Sequence, residues 1–173
     1  MGKLTRTAVL TIGLIAAVSL AGCGKTESTT AADAAKAVTM SDQWVKAADS
    51  GMTGVFGTLK NSGTQEMTVV SATSPAAGRM ELHEVVSQAG GGSTMQPKEG
   101  GFAIPAGGTH VLAPGADHLM LMDLKAPLPV GGDVEITLTF KDGSTLPFTA
   151  QVRAFPGAGE NYQPGGHTAG QHG

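Results

Sequence analysis

The sequence predicts an all-β fold, an antiparallel β-sandwich with Greek-key connections. Between residues 40 and 156, apolar and polar residues alternate in short runs whose spacing is typical of sandwiches and barrels. Helical periodicity is nearly absent from this region, whereas glycine and proline are frequent. Eight or nine strands in about 117 residues can bury their apolar faces by packing two sheets together. A closed barrel is the alternative.

Each predicted strand is a short alternating run bounded by turn residues. The last two give the strongest signal, because apolar residues alternate cleanly on both sides of Asp142-Gly143, which predicts a tight type I′ hairpin. Asn61-Ser62-Gly63 and Pro114-Gly115 are further turn signals. In chain order the predicted strands are 38–47, 53–60, 67–73, 79–87, 102–105, 109–112, 118–124, 134–140 and 146–152.

The N-terminus has the pattern of an export signal. Lys3 and Arg6 precede an apolar stretch at residues 8–20 that is too short for a comfortable membrane span. It ends at Leu20-Ala21-Gly22-Cys23, which resembles a bacterial lipobox and indicates cleavage before the cysteine and lipid on its sulfur. We therefore predict a signal peptide at 1–22 and an extracytoplasmic protein anchored to the bacterial cell membrane through Cys23. The alternative is an ordinary signal peptide with an incidental cysteine.

Composition narrows the possible functions. Cys23 is the only cysteine, so lipidation leaves none for a disulfide, a thiolate nucleophile or a thiolate metal site. Loss of the two basic residues of the signal takes the formal net charge from −3 to −5, and no basic block remains to bind nucleic acid. Residues 23–39 have the composition of a flexible tether, and 157–173 that of a disordered tail. One domain is thus predicted at 40–156.

Two histidines and two methionines form the candidate site: His83, Met95, His118 and Met120. His83 points away from the better apolar face of its predicted strand. His118 and Met120 are two residues apart, so their side chains leave the same face of a strand. Met95 follows a glycine-rich stretch at 88–94, and we expect it on a mobile loop near the rim of the domain. Imidazoles and thioethers are soft, uncharged ligands that suit Cu(I) better than zinc, calcium or magnesium.

Each of these residues also has an ordinary structural interpretation. A lone histidine on a strand is usually a surface residue or a satisfied core residue, and a methionine usually fills a core. His110, on the strand predicted at 109–112, is interpreted in this way as a surface histidine.

Several stretches together carry a resemblance to a known family. They read Ser74-Pro75-Ala76-Ala77-Gly78-Arg79-Met80-Glu81-Leu82-His83, Met95-Gln96-Pro97, Ile104-Pro105-Ala106-Gly107-Gly108, Leu112-Ala113-Pro114-Gly115 and His118-Leu119-Met120-Leu121-Met122. The pattern resembles the bacterial extracytoplasmic copper chaperones of the PCuAC type, which share His-(Met)-x(n)-Met-x(n)-His-x-Met on a cupredoxin-like β-sandwich. The similarity runs from residue 44 to about 152. By this resemblance, His83, Met95, His118 and Met120 match the Cu(I) ligands.

Two positions depart from the family pattern. Glu84 stands where many members have a second methionine after the first histidine, so any auxiliary role of that methionine is lost. The glycine insert before Met95 is expected to loosen that ligand. Some members have metal-recruiting tails, so His167 and His172 suggest a second site, for Cu(II), in this tail.

The resemblance implies a copper chaperone and not an enzyme. Its expected acceptor is the dinuclear copper centre of cytochrome c oxidase subunit II, with a thiol-disulfide protein as a further partner. The sequence also offers no evident pair of carboxylates at hydrolytic spacing and no nucleophile-base pair. Two alternatives stay open: a copper-sequestering envelope protein that delivers to no partner, and a metal-free β-sandwich lipoprotein used for adhesion or assembly.

Overall fold

A computed structural model describes residues 35–88 and 91–157, together with the backbone of residues 161–162. The predicted signal peptide, Cys23 and the tail histidines His167 and His172 lie outside the described residues. Within the part that is described, no helix has the length and apolarity needed to cross a membrane. The elements are a 3-10 helix at Ala35–Ala37 and the strands β1 Val38–Lys46, β2 Thr53–Asn61, β3 Met67–Thr73, β4 Ala77–Ser87, β5 Ser93–Pro97, β6 Phe102–Ile104, β7 Thr109–Leu112, β8 His118–Leu124, β9 Asp133–Phe140, β10 Thr145–Arg153 and β11 Asn161–Tyr162.

Hydrogen bonds join these strands into one continuous path. The order is β11-β5-β4-β8-β2-β1-β10-β9-β3-β6, with β7 beside β2. The all-β class predicted from the sequence is confirmed. Two pairings differ from the antiparallel expectation, because β1 runs parallel to β10 and β11 runs parallel to β5. Both parallel pairs join strands that are distant in the chain, which removes the need for a tight connecting turn.

The main core is built from alternate residues of strands in both halves of this path. In β9, Val134, Ile136, Leu138 and Phe140 are buried, whereas the residues between them are more exposed. They form one cluster with side chains from β2, β3, β4 and β8. Each fully buried large apolar side chain contributes about 1.5–3 kcal/mol, so this cluster is the main source of stability.

Strand β8 is buried on both of its faces. Residues 118–122 are all buried, and β8 lies between β4 and β2 in the strand order. Leu119 and Leu121 belong to the main core, whereas Met120 and Met122 belong to a second buried cluster with Met95. Side chains alternate across a strand, so this second cluster lies on the face opposite the main core.

The region of Met95 differs from its predicted loop. Residues 93–97 form β5, which pairs antiparallel with β4. The backbone N–H of Gln88 donates to the carbonyl of Gly92, and Gly91 and Gly92 have φ of 89° and 105°, which glycine adopts readily. The glycine-rich stretch therefore joins the two strands of a hairpin. The loop between β3 and β4 is also shorter than predicted, since β4 begins at Ala77 and not at residue 79.

The ends of the domain extend into the segments that the sequence assigned to tether and tail. The 3-10 helix and the first two residues of β1 fall within 23–39. At the other end, β11 falls within 157–173, where Asn161 and Tyr162 pair with Thr94 and Met95. The tail thus begins with a short backbone pairing to the strand that carries Met95.

Candidate metal centre

The two candidate histidines face each other across neighbouring strands. His83 of β4 lies directly opposite His118 of β8 in the antiparallel register. Their rings meet edge to face, with centroids 5.5 Å apart and an interplanar angle of 76°. Both are buried, with exposed fractions of 0% for His83 and 4% for His118. The strand pairing therefore places two imidazoles side by side on the face opposite the main core.

The two candidate methionines lie on the same face. Met95, on β5, is opposite Val85, which lies two residues beyond His83 on β4. Met120, on β8, lies two residues beyond His118, opposite Glu81. Although β4 runs between their strands, Met95 and Met120 belong to one buried cluster, which also includes Met122. The thioethers thus gather beside the histidine pair, outside the main core.

The hydrogen bonds of the rings indicate which nitrogen of each histidine carries the lone pair. A backbone carbonyl only accepts hydrogen bonds, so Nδ1–H of His118 donates to the carbonyl oxygen of Ala116, 2.8 Å away. In the neutral ring the lone pair is then on Nε2. For His83 the assignment is reversed, because Nε2 lies 2.8 Å from Oε2 of Glu81, and a carboxylate accepts. Its lone pair is therefore on Nδ1, and the two rings present different nitrogens as ligand atoms.

An aromatic group borders the histidine pair on the β2 side. The Phe56 ring lies 5.9 Å from that of His118 and 4.6 Å from that of Trp44, with Phe155 packed edge-on against Trp44. Gly54 pairs with Met120, and a Cβ atom there would lie 2.6 Å from the tip of the Phe56 ring. The absent side chain at Gly54 thus makes room for the Phe56 ring beside Met120.

An ionic group joins the three strands that carry the candidate ligands. Lys98, which follows β5, donates to Glu84 on β4 at 2.9 Å, and its Nζ lies 3.5 Å from Oδ1 of Asp117, just before β8. Hydrogen bonds from Lys98 and then from Gln96 hold the pKa of Glu84 below its usual value, and the bond to Glu84 raises the pKa of Lys98. Glu84 follows His83 in the strand, so this group lies on the other face. Glu84, a charged residue on the same face of β4 as the apolar Leu82, thus has a charged partner in Lys98.

His110 takes no part in the candidate site. Its ring stacks on Phe102 with centroids 5.0 Å apart, and Nδ1 lies 3.1 Å from the Ala103 carbonyl. Its Nε2 lies 3.0 Å from Oδ2 of Asp117, and the side chain is 19% exposed. The surface histidine predicted from the sequence is instead a partly buried residue, because β7 pairs with β2 and brings it against Phe102 and Asp117, the residue before β8.

Convergence of the four predicted residues follows from strand pairing, but their surroundings differ from the prediction. We expected a site near the rim with Met95 on a mobile loop. The structure instead buries all four residues at 0–6% exposure and places Met95 within β5. Three neighbours were not predicted as part of the site: Met122, Glu81 and Phe56. The alternation of side chains along a strand could have found the first two, because Met122 lies on the same face of β8 as Met120, and Glu81 on the same face of β4 as His83.

Comparison with known proteins identifies the family. The family described as "Putative lipoprotein LpqE-like" matches residues 38–152. This chain belongs to that family. A relative named "Putative lipoprotein Lxx21020", from Leifsonia xyli subsp. xyli (strain CTCB07), is 46% identical over 166 residues, covering 94% of this chain and 99% of the relative.

Solved structures extend the comparison to copper proteins. The solution structure of apo-DR1885 from Deinococcus radiodurans is 31% identical, with a TM-score of 0.54 over 90% of this chain and 98% of that chain. The Cu(I) form of the same protein is 33% identical, with a TM-score of 0.53 over 71% and 84% of the two chains. The copper-bound PCuAC domain from PmoF2 has a TM-score of 0.57 at 21% identity, covering 69% of this chain and 94% of that domain, and so shows the fold alone. The resemblance to PCuAC domains is thus confirmed at the level of the fold.

Proposed function

We propose that this LpqE-like lipoprotein is an extracytoplasmic copper chaperone that binds one Cu(I) ion through His83, Met95, His118 and Met120. The observation that carries the proposal is the common location of these side chains. Strand pairing gathers two imidazoles and a thioether cluster on one buried face, separate from the main core. The Cu(I)-bound relative with 33% identity supports copper as the cargo.

The ligand set favours monovalent copper for a chemical reason. Imidazole and thioether are neutral and soft, so the bound ion keeps its single positive charge, and a hard cation would gain little from such ligands. Neutral ligands also release the ion more readily than thiolates, which would be prone to oxidation outside the cytoplasm. Such a site suits transfer to a partner by exchange of ligands.

Anchoring and delivery complete the proposal. Cys23, freed from the signal peptide at 1–22, would carry the lipid and hold the domain at the outer side of the cell membrane. The proposed acceptor is the dinuclear copper centre of cytochrome c oxidase subunit II. In this role the protein has no enzymatic activity of its own.

A deletion strain tests delivery against sequestration. A chaperone predicts loss of oxidase activity that is restored by added copper or by the wild-type gene, but not by a gene encoding the His83→Ala, Met120→Leu double variant. A sequestering protein predicts copper sensitivity with intact oxidase activity. A metal-free adhesion or assembly module predicts that the purified protein binds no Cu(I). A Cys23→Ala variant tests the anchor, because it should move the protein from the membrane fraction to the medium or the soluble envelope fraction.

We also propose that His167 and His172 form a second site, for Cu(II). The support is their position in the chain, 5 and 10 residues after β11, which pairs beside Met95. Truncation after Pro156 would also remove β11, so a His167→Ala, His172→Ala double variant is the matched control. Fewer Cu(II) ions bound per chain in both variants would support a tail site, and an unchanged number of bound Cu(II) ions in both would contradict it.

A further inference from the structure

Three alternate residues of β4 form a polar row on the face of the candidate metal centre. Arg79, Glu81 and His83 are separated by single residues, so their side chains leave the same side of the strand. The proposed ligands account for His83 only. The other two residues are charged and lie beside this buried, otherwise uncharged group, with the Arg79 side chain 51% exposed and that of Glu81 only 21% exposed.

Arg79, the first residue of this row, pairs with an aspartate of β8 that has an unusual backbone conformation. Asp123 has φ of 56°, and its Cβ lies 3.1 Å from the position that a Cβ of Gly78 would occupy. Glycine at 78 therefore gives this aspartate room. The Asp123 carboxylate pairs with Arg79, which in turn donates from Nε to Oε1 of Glu81 at 2.9 Å. Arg79 is thus held between the two carboxylates.

Glu81 uses its two oxygens on two different partners. Oε1 accepts from Arg79, and Oε2 accepts from Nε2–H of His83 at 2.8 Å. The carboxylate is consequently held in place on one side while it orients the imidazole on the other. A histidine whose Nε2 carries the proton has its lone pair on Nδ1. In the register, Glu81 also lies opposite Met120, so its charge is next to the proposed thioether ligand.

We propose that Glu81 is a positioning residue of the metal centre: it fixes the His83 ring so that Nδ1 is the ligand atom, and its negative charge favours a bound cation. The role in metal binding rests on the proposed Cu(I) function, whereas the fixed tautomer is a property of the metal-free protein. Partners of this kind, bonded to the ring nitrogen that does not bind metal, raise the basicity of the ligand and restrict its orientation. Arg79 serves the same end by restricting Glu81.

The test uses the wild type and four variants, and combines a tautomer measurement with a binding measurement. Long-range proton–nitrogen NMR reports the protonated nitrogen of His83 in the metal-free wild type, Glu81→Gln and Glu81→Leu. Comparison with His83→Gln assigns the signal. Competition with a Cu(I) chelator then measures affinity. Glu84→Gln is the matched control, because it removes a neighbouring carboxylate of the same strand that faces away from the site.

The expected results distinguish the effect of the Glu81 charge on Cu(I) affinity from the effect of Glu81 on the orientation of the His83 ring. Wild type should carry the His83 proton on Nε2. Glu81→Leu should give mixed tautomers and weaken Cu(I) binding by about 10- to 100-fold. Glu81→Gln keeps an acceptor, so it should keep the tautomer and lose less affinity, and Glu84→Gln should bind like wild type. Thermal unfolding of each protein confirms that it is folded.

Two outcomes would overturn the role of Glu81. One is a wild-type His83 with its proton on Nδ1. The other is a Glu81→Leu protein that keeps either the wild-type tautomer or the wild-type affinity. If instead wild type binds no Cu(I), the proposed function fails, and the tautomer comparison in the metal-free protein still decides whether Glu81 orients the ring.

Discussion

His83 and His118 are directly opposite each other on adjacent antiparallel strands, with ring centroids 5.5 Å apart. Opposite residues on an antiparallel pair have Cβ atoms about 4.5–5.5 Å apart, so the pairing alone brings two long side chains into reach of one ion. Their different proton positions mean that one ring offers Nδ1 and the other Nε2. The geometry of the candidate centre is therefore set by strand register and by two local hydrogen bonds.

Copper loading should change the backbone very little. All four proposed ligands lie on strands with defined partners, so the site is organised before the ion arrives. We expect backbone displacements of under about 1 Å between the metal-free and Cu(I)-loaded proteins. NMR shift changes should concentrate at β4, β5 and β8 and around Phe56. A rearrangement of β5 by more than about 2 Å would contradict this expectation.

Filling the space at Gly54 should destabilise the protein. A Cβ atom there would lie 2.6 Å from the Phe56 ring, which is packed between Trp44 and His118. Gly54→Ala should therefore lower the free energy of unfolding by about 1–3 kcal/mol, the usual cost of overpacking. Urea denaturation measures the effect. In a Phe56→Leu background the same substitution should lower the free energy of unfolding much less. An equal decrease in the two backgrounds would mean that the strain does not come from contact with the Phe56 ring.

The pair formed by Glu84 and Lys98 predicts a pH-dependent stability. The pKa of Glu84 is lowered in the folded state, so its contribution is present above the ordinary pKa of 4.5 and is lost as pH falls through the folded value. The pKa of Lys98 is raised, so its contribution is present below 10.5 and is lost as pH rises through its folded value.

Glu84→Gln checks the acid side of this prediction. At neutral pH the variant should be less stable by about 0.5 kcal/mol, a small value because both partners are partly exposed. The difference from wild type should shrink toward an acidic pH below the folded pKa of Glu84, where both proteins carry a neutral group at residue 84. Urea denaturation at the two pH values measures it, with Glu66→Gln as an exposed control. A difference that grows at low pH would contradict the assignment.

Much of the fold could be predicted from the alternation of apolar and polar residues along the sequence. Strands β3, β7 and β8 have the predicted bounds, and β9 and β10 form the predicted hairpin around Asp142-Gly143. The predicted type I′ turn is wrong, because Gly143 has a positive φ and Asp142 does not, and the N–H of Phe140 donates to the carbonyl of Ser144 across a three-residue loop. Strand β5 could not be predicted, because five residues after a glycine-rich stretch show little pattern until β4 pairs with them. The parallel pairing of β1 with β10 was likewise hidden, since it depends on contacts between the two ends of the domain.

The candidate site shows the same division between local and tertiary information. The alternation of side chains along β8 correctly placed His118 and Met120 on one face, because side-chain direction is a local property of a strand. The burial of the four residues was not predictable, since it depends on what packs over that face. The partners of Glu84 were also hidden, because Lys98 and Gln96 reach it only after β4 and β5 have paired.

The proposed metal centre is tested most directly by competition between the protein and a Cu(I) chelator, with one ligand removed at a time. We predict that the wild-type chain binds one Cu(I). Affinity should fall in His83→Ala, Met95→Leu, His118→Ala and Met120→Leu by more than the roughly 10- to 100-fold that loss of a supporting residue produces. Met67→Leu, a buried methionine of the main core, and His110→Gln should bind like wild type. Equal affinity in wild type and Met120→Leu, with both proteins folded, would contradict the metal centre described above.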